Sequence, residues 1–165
     1  MHPTDPGAPP WAAFHTDCVR PEWVDSNGHM NLAYYIVVFD LGTDAWMDLA
    51  GLSAAYRAAE RHTVFAVETH TLYRQELRQA APIQVRTWLV GADSKRIHLA
   101  HEMTSDGAVA ALHEVLFVHV SLATRRVAPL GPAAAARLAG LSGGPRPDWL
   151  GRRIAVPAAP AFPAA

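Results

Sequence analysis

The sequence predicts an α+β fold, an antiparallel sheet of about five strands wrapped around one long helix. Three observations predict it. The stretch 30–49 has helical periodicity and is apolar on most of its circumference, so other structure must enclose it. Residues 63–123 read as consecutive long strands separated by turn signals. No second helix of comparable length follows, so the sheet itself must cover the first one.

The elements follow in order. A first strand is expected at about Phe14–Arg20. The helix from Met30 to Leu49 places Leu32, Tyr35, Ile36, Phe39, Trp46, Met47 and Ala50 at helical spacing. Its opposite side carries Ala33, Tyr34, Val37, Val38 and Leu41, and charge is confined to a narrow stripe of Asp40, Asp44 and Asp48. Gly51 suits the position just past a helix end, and a short helix from Ser53 to about Arg61 follows. Strands are expected at Thr63–Tyr73, Ile83–Val90, Lys95–Thr104 and Ala108 to about Ala123. Gly91-Ala92-Asp93-Ser94 separates the second and third of these, and Asp106-Gly107 is a two-residue hairpin signal before the last. A short helix from Pro132 to Leu141 closes a domain of residues 13–142. Residues 1–12 are expected to form a Pro-rich flexible tail and 143–165 a Pro/Ala-rich one. One chain of this size covers only one side of the helix, which predicts a homodimer or a dimer of dimers.

Composition narrows the function classes. A chain of 165 residues with 50% hydrophobic and 18% charged residues is globular rather than disordered. A formal charge of −1 gives no footprint for nucleic acid. The single cysteine, Cys18, excludes an intrachain disulfide and a multi-cysteine zinc site. No apolar run is long enough to span a bilayer, and the first residues lack the basic and apolar regions of a secretory signal. A cytoplasmic protein that does not engage membranes is expected. Nine histidines invite a metal, but none fall at His-x-x-x-His or His-Glu-x-x-His spacing on a helix, and no metal or cofactor is expected.

Chemistry concentrates in Asp25-Ser26-Asn27-Gly28-His29-Met30-Asn31, between the first strand and the long helix. Asn27-Gly28 is a turn dipeptide, and Asn31 or Asn27 can cap the helix. Unpaired N–H groups at a helix start carry partial positive charge and can hold an oxyanion. Gly28 leaves the backbone open to a ligand, and Asp25 stands where it can attack a carbonyl or activate water. His29 can polarise the carbonyl or pack against the sheet. The same residues also make an ordinary turn, with Asp25 in an Asx-type bond and Asn31 as a cap. Spacing alone leaves both readings open.

The run Arg20-Pro21-Glu22-Trp23-Val24-Asp25-Ser26-Asn27-Gly28-His29-Met30-Asn31, followed by Tyr34-Tyr35 and Phe39-Asp40, resembles the entry strand and helix of the 4-hydroxybenzoyl-CoA-type hot-dog thioesterases. Glu60-Arg61-His62-Thr63, Phe65-Ala66-Val67-Glu68, Lys95-Arg96-Ile97-His98, His101-Glu102-Met103, His113-Glu114 and Leu122-Ala123-Thr124-Arg125-Arg126 make it similar to the betainyl-CoA thioesterases of carnitine breakdown, which also occur fused to L-carnitine dehydrogenase. The resemblance covers about residues 15–142. It implies a hot-dog fold, an acyl-CoA substrate, Asp25 as nucleophile or general base, and active sites at a dimer interface.

Further expectations depend on that resemblance. A quaternary ammonium is held by aromatic faces, which points to Trp23 and Tyr35 nearest the site, with Glu68 as the opposing charge. Glu68 and His70 share one face of their strand, which is either a substrate wall or an exposed sheet face. The CoA phosphates would call on Arg96, Arg125 and Arg126, which flank strand ends. A hot-dog acyl-CoA hydratase or dehydratase would instead pair Asp25 with His29, although the Asn-Pro usual between them is missing. A non-catalytic acyl-binding dimerisation module is the third reading.

Overall fold

A computed structural model of the chain describes residues 9–152 and residue 154. The elements are β1 (Ala12–Cys18), a 3-10 turn (Pro21–Trp23), α1 (Leu32–Leu49), α2 (Ala54–Glu60), β2 (His62–Tyr73), β3 (Pro82–Ala92), β4 (Arg96–Ser105), β5 (Ala108–Ser121) and α3 (Pro132–Gly140). All strands pair antiparallel in one sheet, in the order β1-β3-β4-β5-β2. The α+β architecture expected from the sequence is the one observed.

Each element has a local cause. Asn31 caps α1, its side-chain oxygen accepting the Ala33 N–H at 3.0 Å. At the other end Gly51 N–H donates to Asp48 O and Leu52 N–H to Met47 O, the crossed pair that satisfies the last carbonyls of a helix. Asp106 and Gly107 both have positive φ, at 49° and 79°, as a two-residue hairpin between twisted strands requires. β2 carries a bulge between Ala66 and Glu68, so Val67 has no partner in the β2–β5 register.

The inner face of α1 lies on the sheet through Tyr35, Val38, Phe39, Gly42, Trp46 and Met47. Burying each large apolar side chain of this kind contributes roughly 1.5–3 kcal/mol. Among the described residues nothing encloses the outer flank: Leu32, Ile36, Val37 and Leu49 are 63%, 38%, 45% and 45% exposed. β2 is an edge strand, and Phe65 and Val67 on it are also exposed.

Under α1 a row of polar side chains crosses four adjacent strands. Thr87 Oγ1 contacts His101 Nδ1 at 2.9 Å, the His101 and His113 rings lie 5.3 Å apart, and His113 Nδ1 meets Thr71 Oγ1 at 2.8 Å. Phe39 stacks on His113 from above at 4.9 Å. Burial, together with each other's proximity, holds the His101 imidazole well below its ordinary pKa. Burial likewise lowers His113, to about 4, against the opposing pull of Glu114.

Two boundaries differ from expectation. β1 begins at Ala12 and ends at Cys18, because Ala12 and Ala13 are already buried and paired with β3. The stretch after residue 142, expected as a loose tail, is packed as far as residue 151. Trp88 Nε1 donates to Pro145 O at 2.8 Å, Trp149 is buried against Trp88, Ala100 and Leu112, and Gly151 N–H donates to Glu114 Oε1 at 2.7 Å. Tryptophan and leucine supply the apolar contacts that Pro and Ala content alone would not. The remainder of both expected tails, residues 1–8, 153 and 155–165, lies outside the described residues.

Candidate active site

The loop after β1 closes on itself. Val24 and Met30 form an antiparallel bridge, Asp25 N–H donates to His29 O, and Gly28 N–H donates to Asp25 O at 3.0 Å. Gly28 is needed for its φ of +80°; a side chain there would meet open space. A second segment, 74–81, locks the loop in place through Met30 N–H to Leu77 O at 2.7 Å and Val19 N–H to Ala81 O at 3.0 Å.

The Asp25 carboxylate is held from two sides. Oδ1 accepts the Asn27 N–H at 2.8 Å, which is the expected Asx-type bond. Oδ2 faces Asn31 Nδ2 at 3.5 Å, a long contact. Asn31 therefore joins two tasks, its oxygen capping α1 and its amide nitrogen turned toward Asp25. The ordinary turn and the carboxylate poised at a helix entrance turn out to be one structure.

An open cavity of about 430 Å³ lies in front of this carboxylate. Its walls include Asp25, His29, Leu32, Tyr35, Tyr73 and Glu76. Several backbone donors expected to face it are already committed: Gly28 N–H to Asp25 O, Met30 N–H to Leu77 O and Asn31 N–H to Trp23 O. The Leu32 N–H, at the first helical position, has no main-chain acceptor among the described residues. His29 lines the cavity, but its ring contacts Met30 O at 3.5 Å and does not bond Asp25, so the Asp–His pairing of a hydratase is not made.

Other expected site residues are distributed differently. Tyr35 belongs to the cavity, with its hydroxyl donating to Gln75 O at 3.0 Å. Trp23 does not line it: the indole is buried, stacked on Tyr34 at 5.5 Å, with the Arg20 guanidinium 4.7 Å from its ring centre. Glu68 and His70 line a separate cavity of about 320 Å³, on the sheet face away from α1, with His98, Glu114 and Arg152. There the Glu114 carboxylate meets His98 Nε2 at 2.9 Å and His70 Nδ1 at 3.5 Å. Alternation along the strands sends Glu68 and His70 to that face.

Arg96, Arg125 and Arg126 stand at the opposite end of the sheet from Asp25, beside the start of β4 and the end of β5. Arg96 is paired with Asp93, Nε to Oδ2 at 2.7 Å, and Arg125 lies over the Phe65 ring at 5.1 Å. The length of β2 separates the two ends, about 40 Å for an extended strand of 12 residues at ~3.3 Å each. Sequence reasoning missed Tyr73 and Glu76. Nothing local marks them, because they reach Asp25 only when segment 74–81 docks on the loop. Among the described residues, no group of three or more His, Cys, Asp or Glu could hold a metal ion.

Residues 19–138 match the thioesterase-like superfamily. The chain belongs to that superfamily. Its fold is the hot-dog fold, and it is a thioester hydrolase. A betainyl-CoA thioesterase of Pseudomonas aeruginosa is 39% identical over 145 residues, covering 84% of this chain and 91% of that protein. An L-carnitine dehydrogenase/betainyl-CoA thioesterase of Agrobacterium fabrum is 38% identical over 145 residues, 86% of this chain but 30% of that longer protein. A Staphylococcus aureus protein solved in complex with CoA superposes with a TM-score of 0.82 at 29% identity, covering 88% of this chain and 96% of that one. No helix among the described residues of this thioesterase is long and apolar enough to cross a membrane.

Proposed function

We propose that this thioesterase hydrolyses betainyl-CoA to glycine betaine and free CoA, with Asp25 as its catalytic carboxylate. The observation that carries the reading is the Asp25 carboxylate, fixed by Asn27 and Asn31 at the entrance of α1 and facing an open cavity. The 39% identity to a betainyl-CoA thioesterase over most of both chains supports the acyl group.

The chemistry follows from the layout. Asp25 either attacks the thioester carbon, giving an anhydride that water cleaves, or takes the proton of an attacking water. In both routes negative charge builds on the carbonyl oxygen and the C–S bond breaks to release CoA as thiol. The Leu32 N–H, at the positive end of the α1 dipole, would hold that charge.

The functional unit in this reading is a homodimer. Among the described residues, the outer edge of β2 is unpaired and the exposed apolar flank of α1 has no cover. Pairing β2 with β2 of a second copy about a two-fold axis would set the Tyr73 end of one strand against the His62 end of the other. Each Asp25 would then face the end of the second copy that carries Arg125 and Arg126, which suit the phosphates of CoA. That arrangement would return distant arginines to the site.

Thiol release from betainyl-CoA, acetyl-CoA and 4-hydroxybenzoyl-CoA tests the reading. We expect the betainyl thioester to be cleaved best, and Asp25→Asn to lower kcat by about 10²–10⁴-fold, the usual contribution of an acid–base group. Equal kcat in Asp25→Asn would remove Asp25 from the mechanism, and a preference for either other thioester would overturn the substrate.

A further inference from the structure

We infer that Tyr35, Tyr73 and Glu76 form the subsite that holds a quaternary ammonium group next to the scissile carbonyl. The inference rests on the acyl-CoA reading above and adds the residues that would give it selectivity for a cation.

The geometry begins with the rings. Tyr35 and Tyr73 meet with centroids 5.2 Å apart and planes at 88°, two aromatic walls at a right angle. Both phenols are turned away into main-chain bonds, Tyr35 donating to Gln75 O at 3.0 Å and Tyr73 to Leu32 O at 3.4 Å. These bonds fix the ring planes. A trimethylammonium group has no proton to donate, so ring faces and a nearby carboxylate are the partners it can use. Glu76 supplies the carboxylate from the third wall. Burial raises the Tyr35 phenol pKa against the opposing Leu77 main-chain bond, with Tyr73 and then Glu76 adding to the rise, so the ring stays neutral beside a cation.

Glu76 also lies 3.5 Å from Arg78, but both side chains are more than half exposed, and such a pair holds its carboxylate weakly. Arg74 shares the cavity and is exposed, so its charge is hydrated. Position decides against the alternative carboxylates. In a betainyl thioester the ammonium nitrogen is two bonds from the carbonyl carbon, so its partners must share a cavity with Asp25. Glu76 does, whereas Glu68 and Glu114 open onto the other face of the sheet.

The test compares betainyl-CoA with 3,3-dimethylbutanoyl-CoA, which has the same shape with carbon in place of the charged nitrogen. The reported quantity is the ratio of kcat/KM for the two thioesters. Wild type should favour the cation. Tyr73→Leu and Glu76→Gln should each lower the ratio about three- to tenfold, while Tyr73→Phe, which keeps the ring face, should preserve it. A wild-type preference that persists unchanged in Tyr73→Leu and Glu76→Gln would overturn the subsite and leave the substrate reading intact. Absence of betainyl-CoA hydrolysis would overturn the substrate reading instead. Glycine betaine titrated into the Asp25→Asn protein, followed by NMR, then decides the subsite separately. Binding that weakens when Tyr73→Leu is added supports it, and no binding, or equal binding with and without that change, overturns it.

Discussion

Asn31 carries two separable loads, and substitution can divide them. Its oxygen caps α1 while its nitrogen faces Asp25. Asn31→Ser keeps a capping oxygen without the reach to Asp25, so we expect an unfolding midpoint near wild type with a lower kcat. Asn31→Ala should lose both, with stability falling by about 1 kcal/mol, the usual value of a cap. Urea unfolding and thiol release on the same preparations check the division. The Asx turn at Asp25 and the cap at Asn31 were legible in the sequence because they lie within seven consecutive residues. Trp23 was not. Its nearness to Asp25 in the chain suggested the cavity, but the 3-10 turn rotates the indole into the core against Tyr34. Tyr73 and Glu76 stayed hidden for the converse reason, some fifty residues from Asp25 in the chain yet in the same cavity.

Among the elements, the sheet and α1 meet across the polar row Thr87–His101–His113–Thr71, and that contact should make the fold sensitive to acid. An unfolded His113 titrates near its ordinary 6.5, while the folded one stays neutral down to about 4. The unfolded chain therefore binds the proton first. Stability present above pH 6.5 is lost as pH falls toward 4, on the order of 3 kcal/mol from this residue, with His101 extending the loss further down. His113→Gln should flatten that slope in urea titrations run from pH 7 to 4.5. The same contact leaves no spare room. A Cβ on Gly42 would stand 2.8 Å from Val85 Cγ1 and 3.0 Å from Thr87 Oγ1. Gly42→Ala should consequently destabilise by about 1–3 kcal/mol despite its better helix propensity, a shift visible in the unfolding midpoint. Strand and helix order were readable from periodicity, whereas this row was not, since cross-strand register brings together residues from four separate strands.

At the scale of the molecule, the exposed flank of α1 and the bulged edge of β2 set the expected assembly. Val67→Asp places a charge in the middle of that edge, so sedimentation should show a dimer for wild type and a lighter species for the variant. Activity should fall with the mass if each site draws on both copies. Glu68 and His70, which the sequence offered as either a substrate wall or an exposed sheet face, stand within one chain on the face away from Asp25, and Arg96, Arg125 and Arg126, expected to meet the CoA phosphates, stand at the far end of the sheet. Their strands were read correctly, but a linear pattern carries neither the bulge and pleat that choose a face nor the symmetry that could bring two ends together.

The packing of residues 143–151 over the outer sheet face also sets how short the protein can be. The family match stops at residue 138, yet Trp149, Pro145 and Gly151 cover Trp88 and Leu112 and complete the bonding of Glu114. A chain cut at 142 would expose an indole and a leucine to water and leave a nearly buried carboxylate short of a donor. Light scattering should register that loss as self-association, and a chain ending at 152 should remain dispersed.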